Sequence, residues 1–580
     1  MSASTIELRH LLVAFAFAAT PVAAYEAPPA VAGSQRAVGS TEKVAEETLP
    51  LDPRFSSERV RADVTFLSDD LLEGRELGTA GIDIAAQYVA ARFAGLGLAT
   101  CASDVAWCQA IEFEKIVAGS ETSSVEIGQG RKQNRVFENR KGVIVSPPVN
   151  TAVVDATAPA VFVGYGIANT LLGIDDYAGL DVKGKFAVML SGYPLGLPSE
   201  EAAHASSTKF EAAAARGAIG VLTIDTDLSK REVSWERRLH RSESPVFMSI
   251  DPDGAPHQTA PGIQIRAALD DEAAARLFDG TAKTLTHLRR IAAASGGRPR
   301  GFYLPASIRI RASAASSRSK SSNIVGMIAG SDPQLRDQYV VLSAHIDHLG
   351  KMSAVTGDGP DKDRIYNGAI DNAAGVAVLL EVARVMSEEA KAGTGVRRSV
   401  IFLVTTGEEK GLLGSEYFAR HPKVPIDRIV GNVGLDMPLL LYPFTDLVVF
   451  GAGHSTMGRL VDDAVKGMNI KLSPDPMPEE AIFVRSDHYS FVKRGVPAVF
   501  LMTGFANGGQ AQWERFLKSS YHRPSDDLTQ PINWRAGARF AEANWRITSA
   551  LADAAEAPRW YEGDFFQKTF ARGARAERPR

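Results

Sequence analysis

Apolar and polar positions along this chain change their period several times, and the changes divide it. From Phe55 onward "RVRADVTFLSDDLL" and "GIDIAAQYVAARFAGLGL" space apolar residues three and four apart, the second closing on Gly95 and Gly97, which predicts two helices. Between about residues 130 and 268 the texture becomes short β-rich runs, "APAVFVGYGI", "GKFAVMLSG", "AIGVLTI" and "SPVFMSI", set between turn-forming clusters, with "STKFEAAAARGA" as one interrupting helix. From about residue 300, near-continuous apolar runs alternate with amphipathic ones: "DQYVVLSAHIDH", "DNAAGVAVLLEVARVMSEEA", "RRSVIFLVTT", "GLLGSEYFARH", "IVGNVGLDM" and "GVPAVFLMT". Strands apolar along their whole length are covered on both faces. This part therefore predicts an α/β fold, a mostly parallel mixed sheet sandwiched by helices, with the β-rich stretch as a smaller inserted domain.

The two ends read differently. "MSASTIELRHLLVAFAFAATPVAAYEAPPA" runs from Arg9 and His10 through a short apolar core to small residues at Val22, Ala23 and Ala24, the layout of a cleaved export signal. Pro21 interrupts the run too early for a membrane span. An Ala-, Pro-, Gly- and Ser-rich linker follows, and "FARGARAERPR" reads as a basic, solvated tail. The expected divisions are residues 1–24 signal, 25–54 linker, 55–129 first part of the main domain, 130–268 insert, 269–560 main domain and 561–580 tail.

Composition adds exclusions. At 580 residues the chain is too long for one ordinary core, and its formal net charge of -4 with 23% charged residues provides no bulk field toward nucleic acid or anionic membrane. The expected location is periplasmic or secreted. Cys101 and Cys108 are the two cysteines; in an oxidising compartment thiols this close can pair, and whether they do stays open.

In an open α/β sheet, reactive groups collect beyond the carboxyl ends of the strands. The apolar runs end in His345, Asp347 and His348, in Glu408 and Glu409, and in Asp436; Asp371 and Asn372 open a helix. Each has an ordinary reading alone: Asp371 as a helix cap, Asp436 as a turn residue, a strand-end histidine as a hydrogen-bonded core group. Together they make a crevice too negative to persist without protons or cations, and divalent metal is the economical answer. Imidazole mixed with carboxylate suits zinc, whereas an all-oxygen set would suit calcium or magnesium. A hydrolytic site of this kind also needs one carboxylate left free as a base.

The ordered set "AHIDHLG", "NGAIDNAAGVAVLLEVAR", "TTGEEKGLLGS", "GLDM", "SDHYSFVKRGVPAVFL" and "YHRPSDD", with the opening "LSDDLLEGRELGTAG", resembles the co-catalytic zinc metallopeptidases. That superfamily (clan MH, family twenty-eight) includes secreted bacterial leucyl aminopeptidases, glutamate carboxypeptidase and the transferrin receptor. "VFVGYGI", "DDYAGLDVKGKFAVML" and "AAAARGAIGVLTI" resemble its protease-associated insert. The resemblance implies two divalent metals, with zinc expected: His345 and Asp436 on one, Glu409 and His522 on the other, Asp371 bridging. It implies Glu408 as general base to a water activated by both metals, Asp347 as the carboxylate that orients a metal-bound imidazole, and Asp526 either in a similar role or as a helix cap. Tyr366, Phe483, Arg485 and Tyr489 are expected substrate contacts, and His348, His454, His488 and Asp487 are expected to be mostly structural. Ile370 and Arg523 depart from the pattern; Arg523 reads as a solvated arginine, with a preference for acidic substrate ends as the alternative. The implied activity is release of N-terminal amino acids from peptides by an exported enzyme, with a homodimer possible. Glutaminyl cyclisation, carboxypeptidase or dipeptidase action and a non-catalytic receptor role stay open, as do side-chain preference and metal identity.

Overall fold

The structure is a computed structural model that describes residues 49–100, 108–129, 132–352, 362–571 and 573–579. The expected signal, most of the linker and Cys101 lie outside these residues, and so does the question of a Cys101–Cys108 pairing.

The main sheet is built as the apolar runs predict. Tyr339–His345 lies parallel to Ser399–Thr405 on one side and to Ile429–Leu435 on the other, and Ala498–Thr503 continues the parallel set. Antiparallel strands flank this centre: part of Phe302–Ile328 and then Cys108–Ala118 on one side, Asp446–Phe450 on the other. Ser399–Thr405 and Tyr339–His345 are buried at nearly every position because helices cover both faces. Ser57–Leu67, Ala374–Lys391 and Trp534–Asp553 pack together on that core, and Ala80–Leu96 ends where Gly97 turns left-handed, one of the two glycines the sequence marks as a stop. The register is what matters for the site. His345 pairs with Thr405 and Ala344 with Leu435, so three strands end at one level.

A second sheet is wider than the sequence predicts. It takes in Ser124–Gln129 and Lys132–Glu138, runs through Val153–Phe162, Phe186–Leu190, Gly220–Ile224 and Ile265–Leu269, and borrows the front half of Phe302–Ile328, a strand of 27 residues shared by both sheets. Its core includes Phe162, Leu222 and Ile308 and reaches Ala273 and Leu288, on helices beyond residue 268. Among the described residues of 130–268 there are four helices, not one: Ser199–Ser207, Lys209–Ala215, Asp227–Glu232 and Trp235–Arg241. The short Trp235–Arg241 is too polar and too brief to show apolar periodicity, which is why the pattern misses it. The expected tail, residues 561–580, begins too early, although residues 573–579 are mostly exposed, as "FARGARAERPR" predicts. Tyr561 and Phe566 are buried, and Phe565–Phe570 is a helix packed on the main domain. Among the described residues no helix is long and apolar enough to cross a membrane.

Candidate active site and metal centre

The level strand ends deliver the predicted residues to one crevice. His345 is the last residue of its strand, Asp436 follows Leu435, and Glu408 and Glu409 follow Thr405 across a turn at Gly407, whose φ is +73°. Asp371 arrives from a π-turn, Ala369–Ala373, before the helix Ala374–Lys391; its peptide to Asn372 is cis. Asp371 is therefore no helix cap. Asn372 does the tying: its Nδ2 donates to the carbonyls of His345 (3.3 Å) and Leu435 (3.0 Å), and its Oδ1 accepts from Gly375 N (3.1 Å) and Met437 N (3.2 Å).

The five expected ligands converge around Asp371. His345 Nε2 lies 3.1 Å from Asp436 Oδ1 and 3.4 Å from Asp371 Oδ1. His522 Nε2 lies 3.1 Å from Asp371 Oδ2 and 3.2 Å from Glu409 Oε1. Two donor groups form among the described residues, His345 with Asp371 and Asp436, and His348 with Asp371 and Glu409, and they share Asp371. Glu408 stands on the cavity wall outside both groups. Glu409 Oε1 and both ring nitrogens of His348 are buried without a hydrogen-bond partner, although Glu409 Oε1 is 2.8 Å from His348 Nδ1. Buried donors and acceptors are rarely left so. Oriented nitrogen and oxygen atoms of this kind fit a divalent metal of zinc's preferences.

A family description, peptidase family M28, matches residues 323–548, which contain every residue just named. This segment belongs to peptidase family M28. A mouse aminopeptidase, NAALADL1, is 35% identical over 149 residues, covering 25% of this chain and 17% of that protein. The probable leucine aminopeptidase 2 of Aspergillus oryzae is 24% identical over 229 residues, covering 36% of this chain and 40% of that protein. The chain thus spans less than half the length of these curated relatives. Among solved structures, the aminopeptidase from Aneurinibacillus sp. strain AM-1 superposes with a TM-score of 0.50 at 21% identity, covering 87% of this chain and 96% of the other, a likeness of fold.

Two supporting carboxylates of the M28 segment work differently from expectation. Asp347 accepts the backbone N–H groups of Glu408 (3.0 Å) and Glu409 (3.2 Å), so it positions the glutamate pair. Its carboxylate is 3.9 Å from His345 Nδ1, which lies 3.2 Å from the Asp347 main-chain carbonyl instead. Asp526 accepts the N–H groups of Ile370 and Asp371, each at 3.0 Å, and so holds the π-turn instead of orienting His522.

Two participants escape sequence reasoning. His348, expected to be structural, faces Glu409 and Asp371 from 2.8 and 4.0 Å. Its place three residues after His345, beyond the strand end, was the available signal. Arg75, in "LEGRELG", is 1% exposed beneath the site and donates to the carbonyls of Ile346 (2.7 Å), Asn367 (2.5 Å) and Gly368 (3.1 Å). Its carbonyl in turn accepts from His348 N at 3.2 Å. Burial pulls the Arg75 pKa down to about 10, against the opposing fields of Asp347, Asp526, Asp371 and Glu409. No periodicity flags a buried arginine 248 residues before the start of the M28 segment.

The electrostatics separate the two adjacent glutamates. Burial raises the Glu408 pKa well above the usual carboxylate range, and Asp436, Glu409 and Asp487 push the same way, with His345 opposing. Burial also opposes ionisation of Glu409, but His522 and His348 outweigh it and hold its pKa well below. Burial lowers His522, and Glu409 and Asp371 more than reverse this, to about 9. Burial alone leads for Asp347 and Asp526, both raised to about 6.

The cavity in front of these groups measures about 580 Å³. Met437, Phe500, Met502, Trp513 and Leu517 give it an apolar wall. Arg485 lines it as expected, between Val484 and Ser486. Phe483 and Tyr489 do not. Phe483 is 1% exposed among His454, His488 and Phe566, and Tyr489 meets His204 of the insert through its hydroxyl. The tight turn at Ile482–Val484 sends residues 482 and 484 to the cavity and 483 inward. Tyr366 is also buried; its hydroxyl lies 3.3 Å from His240 Nε2, behind His348.

Proposed function

We propose that the protein is a zinc-dependent exopeptidase that releases N-terminal amino acids from peptides. The arrangement of donors around Asp371, with Glu408 left outside them on the cavity wall, carries this reading. His345, Asp436, Asp371, Glu409 and His522 are the residues that would hold two ions, and His348 adds a further nitrogen beside Glu409. Zinc, when bound, supplies polarisation of the scissile carbonyl and a more acidic water. Glu408 takes a proton from the attacking water and returns it to the departing amine, a task that favours a carboxylate whose pKa lies above the ordinary range. Asp347 holds the Glu408 backbone so that the carboxylate keeps its place as it changes protonation. The apolar wall accepts an aliphatic or aromatic side chain. The leader pattern supports export to the periplasm or beyond, and the second sheet with its helices suits a protease-associated unit that narrows the entrance.

Mass spectrometry of leucine-initiated peptides tests the reading. An unblocked peptide should lose its first residue and an N-acetylated one should not. Chelation should stop the reaction and added zinc restore it. Glu408→Gln should keep its metal, measured by plasma mass spectrometry, while turnover falls about a thousandfold. Loss of ammonia from a glutamine-initiated peptide without chain cleavage would instead favour the cyclase reading.

A further inference from the structure

The run "SPVFMSI", expected inside the insert, is instead the outermost strand of the main sheet beyond Cys108–Ala118. Val246–Ser249 pairs antiparallel with that strand, Val246 opposite Ile116 and Ser249 opposite Phe113, and among the described residues no strand lies on its other side. The register decides which backbone groups face which way. Ile250 N donates to the Glu112 carbonyl at 2.8 Å, so residues 246, 248 and 250 direct their N–H and C=O groups at Cys108–Ala118, and those of 247 and 249 point to the open side. There His257 N reaches the Ser249 carbonyl at 2.8 Å, in keeping with the alternation, and closes one end of the edge. Pro245, which has no N–H to offer, bounds the other end. Between them the outward N–H and carbonyl of Phe247 have no hydrogen-bond partner among the described residues.

This edge faces the catalytic cavity. Ser244, Pro245, Val246 and Phe247, four residues in succession, line it together with Glu408 and Glu409. Side chains of a strand alternate between its faces, so a wall that takes consecutive residues meets the strand along its edge. Phe247 is 4% exposed and its ring packs with Leu77, Ile111 and Phe113, which leaves its main chain as what it presents to the cavity. Backbone N–H and C=O groups so enclosed are seldom left unpaired. The strand is also fixed in place. Arg420 closes the helix Leu413–Arg420, which follows the glutamate pair; it donates to Ser249 Oγ at 2.9 Å and pairs with Asp251.

Resting on the peptidase reading above, we propose that the departing portion of a peptide substrate binds as an added strand segment on this edge, one of its residues exchanging N–H and C=O with Phe247. Only one residue precedes the bond that an aminopeptidase cuts, so a run of peptide groups long enough to lie against a strand exists on the departing side alone. The N–H of the first departing residue belongs to the bond being cut, which places the pairing at a later residue. Recognition through backbone groups is indifferent to side chains, and selection by side chain is left to the apolar wall. The ligand class is therefore an extended peptide of at least three residues.

The test measures kcat/KM on wild type for amide-ended Leu-Ala, Leu-Ala-Ala, Leu-Ala-Ala-Ala and Leu-Ala-Ala-Ala-Ala, and for the longest with one N-methyl group on its third, fourth or fifth residue. Lengthening should raise kcat/KM about tenfold. Methylation at one of the three positions should remove that gain and at its neighbours change it less than about twofold, because a single substrate N–H meets the Phe247 carbonyl. Phe247→Ala and Phe247→Pro both lose the ring, but only the second loses the N–H, so the gain with length should persist in the first and fall in the second. No gain with length, methyl groups that act equally at every position, or a full gain in Phe247→Pro overturns the proposal and leaves the peptidase reading standing. The wild-type series decides the matter even if the Phe247 variants fold poorly. If no peptide is cleaved, that reading fails by itself, and calorimetric binding of the same methylated peptides to Glu408→Gln still decides the edge: one sensitive position supports it, and equal affinities overturn it.

Discussion

At the scale of residues, the site is a problem of charge. Asp347, Asp371, Glu408, Glu409, Asp436, Asp487 and Asp526 crowd one crevice above the buried guanidinium of Arg75. The adjacent glutamates look alike in "TTGEEKG", and strand alternation would separate them if the strand continued. It stops at Thr405, so the separation comes from the turn at Gly407 and from Asp347, which accepts both of their N–H groups. Arg75 offsets part of the charge and binds together the loops before Asp347 and before Asp371 through three carbonyls. Arg75→Met leaves those carboxylates and carbonyls without their cation, and unfolding in urea should show a loss of about 3–5 kcal/mol together with weaker metal retention. Arg75→Lys should recover part of both. Unchanged stability and metal content in Arg75→Met would show the guanidinium to be a bystander.

At the scale of elements, the parallel register does what no single residue can. Because His345 pairs with Thr405 and Ala344 with Leu435, their following residues emerge side by side. The π-turn at Ala369–Ala373 must then approach from the next connection, and Gly368 makes the approach possible. Its φ is +58°, and a Cβ there would come within 2.1 Å of the Asp371 carbonyl and 2.7 Å of the His348 ring. Gly368→Ala is therefore expected to displace both Asp371 and His348. Calorimetry should show metal affinity reduced at least tenfold, while far-ultraviolet dichroism stays near wild type because the helix Ala374–Lys391 begins beyond the turn. Wild-type affinity in that variant would mean the turn relaxes without cost. The apolar runs made these strands and helices readable; the π-turn was not, since its residues look like the start of an ordinary helix.

At the scale of the molecule, the second sheet is fastened to the main domain by polar contacts between segments distant in sequence. His454 sits between Asp564 of the C-terminal segment (2.8 Å) and Glu200 of the insert, whose Oε1 also accepts from Gly451 N at 2.7 Å. Burial favours neutral His454, but its bonds to Asp564 and Glu200 outweigh burial and raise its pKa to about 10. A folded pKa above the unfolded value of about 6.5 means that this contribution is fully present below about pH 6.5 and is lost as pH rises through about 10. Melting temperature should fall across that interval in wild type, and the fall should be shallower in His454→Gln; parallel profiles would exclude the latch. Sequence alone determined the α/β class, because doubly buried strands and amphipathic helices leave distinct periodicities, and it brought forward His345, Asp371, Glu408, Glu409 and Asp436, because so many carboxylates and imidazoles gathered at the strand and helix ends of one sheet call for cations, with His522 added only by the family resemblance. Only tertiary structure decided what Asp347 and Asp526 hold, that His348 and Arg75 take part, that Phe483 and Tyr489 turn inward, and that a short polar helix brings Arg241 to the cavity. Those are contacts between segments far apart in the chain, made by backbone groups and turns that carry no periodic signature.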